Sequence, residues 1–271
     1  MTPIVVLTIA GSDSGGGAGL QADLKTFGAF GVFGTTAVTA VTAQHTAAVL
    51  GVVAMEPEFV VAQIEAVVSD LHPAAAKSGM LARPETVRAV ADLAARGVLP
   101  PLVVDPVLVS SSGQALMDEG GVDAYRRYLL PLAAVATPNL REAALLTGRR
   151  PEDLDTIEAM VEAAEELRAL GGGAVVVKGG HFLGEGSPDV FVDGAEPVIL
   201  TSARVATGND HGTGCSLSAA IAAGLALGAE PLEAVRAAKD YVQRAISGAA
   251  GWRLGAGHGP IDHFGWGDGG E

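Results

Sequence analysis

The chain has 271 residues, with 17 Lys or Arg against 31 Asp or Glu, a formal charge of −14 at neutral pH. That balance argues against holding nucleic acid or an anionic membrane through bulk charge, while backbone amides and a few lysines could still build a local anion site. With 49% hydrophobic, 18% charged and 4% aromatic residues, Val, Leu, Ile and Ala must make the core, and global disorder is excluded. The lone cysteine, Cys215, excludes a disulfide framework or a multi-cysteine zinc site. The N-terminus lacks a cationic region, its apolar run Ile4–Ala10 is too short to span a bilayer, and no later segment offers eighteen uninterrupted apolar residues. The expectation is a cytoplasmic protein.

In chain order, Ile4–Ala10 reads as a first buried strand. It runs into Ala10-Gly11-Ser12-Asp13-Ser14-Gly15-Gly16-Gly17-Ala18-Gly19, where five glycines lie between Gly11 and Gly19. This is either a flexible connection or a loop that lets a ligand approach the backbone closely. Gly17–Ala22 matches the loose dinucleotide fingerprint, but the ribose-binding acid expected roughly 20 residues later is missing. A Gly-Lys-Ser/Thr phosphate loop is also absent. The following helix places Leu20, Leu24 and Phe27 on an inward stripe with Asp23 on or beside it. Asp23 there is either a dipole-favoured first-turn acid or a ligand-binding carboxylate. The run Ala37–Ala43 ends at Gln44, at the carboxyl end of an expected parallel strand, where open α/β sheets bind ligands.

Leu102–Asp105 is a strand stopped by Pro106, which leaves Asp105 at the end as a turn residue or an Mg²⁺-associated carboxylate. Ala133–Thr137 is the next strand. Asn139 and Glu142 then have the spacing of a helix N-cap and its capping-box partner. Ile157, Met160, Val161, Ala164, Leu167 and Leu170 follow a helical face, with Asp155 and Glu158 as its capping box. Ala174–Lys178 brings Lys178 to a strand end before two glycines, facing either phosphate or solvent. The stretch Asp189–Val205 suits an antiparallel edge or flap.

Asn209-Asp210-His211-Gly212-Thr213-Gly214-Cys215 then turns into a helix of small residues. Successive amides at such a turn, Gly212 to Cys215, suit a transferring phosphoryl group. A helix entrance also predicts a depressed Cys215 thiol pKa. Pro231 opens the last helix, with Leu232, Val235, Val242 and Ile246 inward. From Gly251 the chain is glycine-rich, and residues 265–271 read as a poorly ordered tail. With no long linker or repeat, residues 1–264 form one domain of three α/β/α layers around a mostly parallel central sheet.

Together, TIAGSDSGGGAGLQADLKTF (8–27), VTAQHT (41–46), KSGML (77–81), VVDPV (103–107), TPNLREA (137–143), VVVKGGH (175–181) and NDHGTGCSLSAAIAAG (209–224) resemble the hydroxymethylpyrimidine/phosphomethylpyrimidine kinases of the ribokinase-like superfamily. The resemblance implies ATP- and Mg²⁺-dependent phosphorylation of 4-amino-5-hydroxymethyl-2-methylpyrimidine, then of its monophosphate, by a homodimer. It implies that Gly11, Asp23, Gln44 and Met80 bind the pyrimidine and that Asn139, Lys178 and Asn209 lie near ATP phosphates. Asp105 and Glu142 would support magnesium, and Gly212, Thr213, Gly214 and Cys215 would form the catalytic anion hole. Relatives commonly carry Ala-Lys-Ser-Gly where this chain has Ser110-Ser111-Ser112-Gly113, and Thr-Lys-Asn-Thr where it has Thr207-Gly208-Asn209-Asp210. Two lysines, at Ser111 and Gly208, are thereby replaced. Pyridoxal kinase activity on the same scaffold, a silent pyrimidine-binding homologue and an NAD-dependent oxidoreductase are the rival readings.

Overall fold

The computed structural model describes residues 2–109, 116–180, 182 and 186–269. The replaced segment Ser110–Gly113 and His181 therefore lie outside the described residues. In chain order the elements are β1 (Val5–Gly11), α1 (Gly19–Ala29), β2 (Phe33–His45), β3 (Ala48–Ala54), α2 (Pro57–Leu71), β4 (Ala75–Ser78), α3 (Pro84–Ala95), β5 (Leu102–Val104) and α4 (Gly121–Ala124). They continue as β6 (Val135–Ala136), α5 (Leu140–Thr147), α6 (Ile157–Arg168), β7 (Ala174–Lys178), β8 (Ser187–Val192), β9 (Val198–Ser202), α7 (Thr213–Ala226) and α8 (Pro231–Gly248).

Among the described residues the strands form one sheet of nine in the order β3-β2-β1-β4-β5-β6-β7-β8-β9. From β2 to β7 all pairs are parallel, while β3, β8 and β9 add antiparallel edges. Alternation along the strands divides the core. Leu7, Ile9, Val104 and Val177 face the layer of α2, α3, α5 and α6, where Val60, Ile64, Val87, Ala143 and Met160 meet them. Val6, Val103, Val135 and Val176 face the opposite layer, with Phe27 of α1, Ile221 of α7 and Val235 of α8. Both sheet faces are covered, which is why the central strands read as continuous apolar runs. α7 is buried from Ser216 to Gly224 because it is small-sided throughout and lies between the sheet and its neighbours α1 and α8.

The chain order reverses at β1, which has β2 on one side and β4 on the other. Such a switch opens a crevice beyond the carboxyl ends of the strands. The connections β1–α1, β5–Asp105, β6–α5 and β7–Lys178 all emerge there.

Several local expectations are corrected. Leu24 is 39% exposed, so the inner face of α1 is Leu20, Ala22, Asp23, Thr26 and Phe27. The α6 cap is Thr156, whose hydroxyl accepts the Ala159 N–H at 3.1 Å, rather than Asp155. Thr156 has the extended backbone a cap requires, whereas Asp155 still belongs to the preceding turn. β3 and β4 escape the apolar-run criterion because β3 is largely exposed and β4 carries Lys77 in its middle. Over the expected loose tail, Trp266–Gly269 form a 3₁₀ turn; Asp262 Oδ2 accepts the Gly267 N–H at 2.6 Å, and Trp266 stacks on Trp252. No described helix is long and apolar enough to cross a membrane.

Candidate active site

At the switch point lies a cavity of about 780 Å³. That is within the range of small-molecule and cofactor pockets. Its wall begins with the loop after β1. Asp13 organises this loop: its carboxylate accepts N–H groups from Gly15 (2.9 Å), Gly17 (3.0 Å) and Ala18 (2.8 Å), and it lies 2.9 Å from His211 Nε2. Burial works against the Asp13 charge, but His211 and these amides hold the carboxyl below its ordinary value.

The loop before α7 sits directly on this first loop. Gly212 has φ +87°, a left-handed conformation, and any Cβ there would overlap the Gly17 carbonyl oxygen. Only glycine satisfies both conditions. A Cβ on Gly17 would meet His211, so the two loops are in direct contact there as well. Gly11, Gln44, Met80, Gly212, Thr213, Gly214 and Cys215 consequently line one cavity. Gln44 Nε2 is 3.4 Å from His211 Nε2, and a Cβ on Gly11 would stand 3.1 Å from Met80 Sδ. In the first turn of α7 the Thr213 N–H donates to the Asp210 carbonyl at 3.3 Å, and the N–H groups of Gly214 and Cys215 have no preceding helical carbonyl to take them up.

The floor is a buried charge array. Asp105 leaves β5 with 2% exposure; Lys178 Nζ reaches its Oδ1 at 2.7 Å, while Thr137 and Ser218 hydroxyls donate to it at 3.2 Å each. A Cβ on Gly214 would stand 3.2 Å from Lys178 Nζ, so that ammonium lies beside the α7 turn. Burial opposes the Lys178 charge, but Asp105 and Glu142 raise its pKa. Asn139 and Glu142 form the expected capping box, at 2.8 and 3.0 Å, and both also line the cavity. Burial raises the Glu142 carboxyl to about 7; Lys178 opposes this and Asp105 reinforces it.

Two expectations place residues in the pocket that the structure places elsewhere. Asp23 is fully buried behind the lining, accepting from Thr8 Oγ1 at 2.6 Å and from Lys77 Nζ at 2.9 and 3.0 Å. Its side chain leaves the inner face of α1 toward the sheet, so it holds Lys77, and Lys77 is the group that reaches the cavity wall. Burial disfavours both charges; Asp23 and Asp105 nevertheless keep Lys77 protonated. Asn209 also lies outside the lining, because its amide donates to the Ala249 and Trp252 carbonyls at 2.7 and 3.0 Å. The third correction concerns Cys215: burial pushes the thiol up to about 11, Lys77 pulling against it and Asp23 and Asp105 adding to it. Burial, with the nearby carboxylates adding to it, reverses the depression expected from the helix entrance alone.

Sequence reasoning assigned no role to Asp13 or Lys77, although the Gly-rich context of one and the apolar strand around the other were available signals. Among the described residues no three His, Cys, Asp or Glu side chains converge as a metal cage. Asp105 and Glu142 still fit Mg²⁺, which is commonly held by one or two carboxylates with water and phosphate oxygens completing its shell.

Residues 13–262 match the family model described as phosphomethylpyrimidine kinase. A hydroxymethylpyrimidine/phosphomethylpyrimidine kinase of Rhizobium meliloti (strain 1021) is 53% identical over 260 residues, covering 96% of this chain and 97% of that protein. The thiamine biosynthesis bifunctional protein ThiED of Geobacter sulfurreducens is 45% identical, over 96% of this chain and 52% of that protein. The structure of an ADP complex of Bacillus subtilis pyridoxal kinase superposes with a TM-score of 0.87 at 37% identity, covering 97% of this chain and 98% of that one.

The buried pair yields one test of this geometry. Lys77→Met should destabilise the protein by about 3–5 kcal/mol in urea unfolding, because it strands the Asp23 carboxylate. Adding Asp23→Leu should restore part of that loss; an equally unstable double variant would show that the two charges do not form the interdependent pair described.

Proposed function

We infer the activity from two facts: the chain belongs to the phosphomethylpyrimidine kinase family, and one cavity joins its opening glycine loop to the amides ahead of Cys215. The protein is a kinase that phosphorylates 4-amino-5-hydroxymethyl-2-methylpyrimidine and then its monophosphate, within thiamine diphosphate biosynthesis. The observation that carries this reading is the seat of Gly212 on Gly17, which brings an acceptor pocket and an anion hole together.

We propose that Gln44, Gly11 and Met80 hold the flat heterocycle with its hydroxymethyl arm toward Cys215. Lys77, backed by Asp23, supplies positive charge beside the sulfur. When bound, ATP with Mg²⁺ supplies the transferable phosphoryl group and neutralises much of its charge. Asp105 and Glu142 would hold the metal, and Lys178, with Asn139 nearby, would face the phosphates. The Gly212–Cys215 amides would stabilise charge on the phosphoryl oxygens in a largely dissociative transfer.

With a pKa of about 11, roughly one Cys215 in ten thousand is thiolate at pH 7. The working form we propose is therefore the neutral thiol. As the new P–O bond forms and the bond to the leaving phosphate breaks, sulfur takes the hydroxymethyl proton while its own proton passes to a phosphoryl oxygen. The acceptor in the second step is an ionised phosphate and needs no such relay. A second reading, pyridoxal phosphorylation, is favoured by the likeness to solved pyridoxal kinases, that of Bacillus subtilis among them.

Incubation with ATP–Mg²⁺ and the pyrimidine alcohol should give products heavier by one and then two phosphates in mass spectrometry. Turnover of pyridoxal alone would decide for the second reading. Cys215→Ala should lower kcat about a hundredfold on the alcohol and less than tenfold on the monophosphate. On the alcohol, kcat should stay flat between pH 7 and 9, and a tenfold rise per pH unit would identify the thiolate as the working species instead.

Glu142 supplies an independent pH test. The folded state keeps the Glu142 proton up to about pH 7, whereas an unfolded chain releases it near about 4.3. Its contribution to stability is complete below the unfolded value and is lost as pH rises through the folded value. Magnesium needs the ionised form, so the Mg²⁺ concentration for half-maximal rate should rise as pH falls below about 7. In Glu142→Gln that dependence should disappear; its persistence would remove Glu142 from the metal site.

A further inference from the structure

The glycine-rich segment after α8 has no place in the chemistry above, yet it touches both halves of the cavity. At one end, Thr46 Oγ1 accepts the N–H groups of Ala256 and Gly257 at 3.1 Å each. The approach is close enough that a Cβ on Gly255 would overlap Thr46 Oγ1, and one on Gly257 would overlap the Thr46 carbonyl oxygen. Thr46 follows Gln44 by two residues, at the acceptor end of the cavity, and Gly257 and His258 themselves line it.

At the other end the same segment holds the loop that leads into the anion hole. His258 Nδ1 lies 2.8 Å from Asp210 Oδ1. The Gly259 N–H donates to the Gly208 carbonyl at 3.1 Å, and the Gly259 carbonyl accepts the His211 N–H at 3.0 Å. A Cβ on Gly259 would overlap the Asn209 amide oxygen. Pro260 bridges His211, and His263 Nε2 lies 3.0 Å from the hydroxyl of Ser216, the residue after Cys215. His263 is 5% exposed, and its carbonyl accepts the Tyr241 hydroxyl at 3.2 Å, which fixes this end to α8.

We propose that Gly255–His263 is a strap that couples acceptor binding to nucleotide binding, with Thr46 and Ser216 as its two points of attachment. The proposal rests on the kinase reading for the identity of the two ligands. A shift of the Thr46 turn around a bound heterocycle is carried along a short, doubly anchored backbone to the first turn of α7. By linkage, the nucleotide must affect acceptor affinity by the same factor as the acceptor affects nucleotide affinity.

The chain's two tryptophans, Trp252 and Trp266, sit at the strap's flanks and stack on each other, and neither lines the cavity. Their emission therefore reports on the strap without contacting either ligand. In the full-length protein, saturating AMP-PCP with Mg²⁺ should tighten binding of the pyrimidine alcohol about fivefold or more, and the reciprocal titration should give the same factor. Each ligand alone should change the tryptophan emission. Thr46→Val, which keeps the shape and loses the acceptor oxygen, should reduce the coupling below about twofold and abolish the response to the pyrimidine. Ser216→Ala should abolish the response to AMP-PCP.

Coupling below about twofold in the parent protein, or unchanged in both variants, would overturn the strap. If the parent binds AMP-PCP but neither binds nor phosphorylates the pyrimidine, the kinase reading fails on this acceptor. The strap is then judged by the AMP-PCP response alone: its loss in Ser216→Ala supports the strap and its retention refutes it.

Discussion

Gly212 turns left-handed against the Gly17 carbonyl, and the geometry of the site is built outward from that contact. The two loops come from opposite ends of the chain and can share a cavity only because neither has a side chain between them. Asp13 reinforces the junction by taking three amides of its own loop and reaching His211 of the other. Backbone placed this way stays rigid without bulky packing, which suits an anion hole whose donors must already point at the charge when it develops.

Beneath the junction, charges alternate in sign through a largely buried array: Asp23, Lys77, Asp105, Lys178 and Glu142. Buried ion pairs contribute little net stability, since desolvation offsets most of their attraction. Their effect here is on protonation. Lys77 and Lys178 stay charged, Glu142 is held near the midpoint of its titration at neutral pH, and Cys215 keeps its proton. A lone helix terminus would have favoured thiolate, so the carboxylates and the burial decide the outcome.

The layers and the central strands were legible because burial on both sheet faces imposes continuous apolar runs, as in Ala174–Lys178 and Leu102–Asp105. The capping box of Asn139 and Glu142 was legible because its spacing is local. β4 was not, since Lys77 interrupts its pattern and its justification, Asp23, lies 54 residues away. The same distance hid the pairing of Asp23 with Lys77: helical spacing put Asp23 on the inner face of α1 but could not say whether ligand or lysine waited there. Asn209 sits within a motif whose neighbours line the cavity, and only the folded position of Ala249 and Trp252 shows that its amide is already engaged.

The glycine-rich stretch after α8 had no role that composition could assign: only its tip, residues 265–271, read as poorly ordered, and the rest carried no pattern. In the fold, Gly257 and Gly259 press against Thr46 and Asn209, where a β-carbon has no room. Low complexity can therefore mark a segment threaded between two fixed walls as readily as one without contacts. What separates the two is reach: a free tail needs no partners, whereas this one finds them more than 200 residues back at Thr46 and again beside Cys215. A chain that closes such a circuit ties the turn at Thr46 to the first turn of α7, and under the proposed phosphoryl transfer those two positions would set the reaction distance.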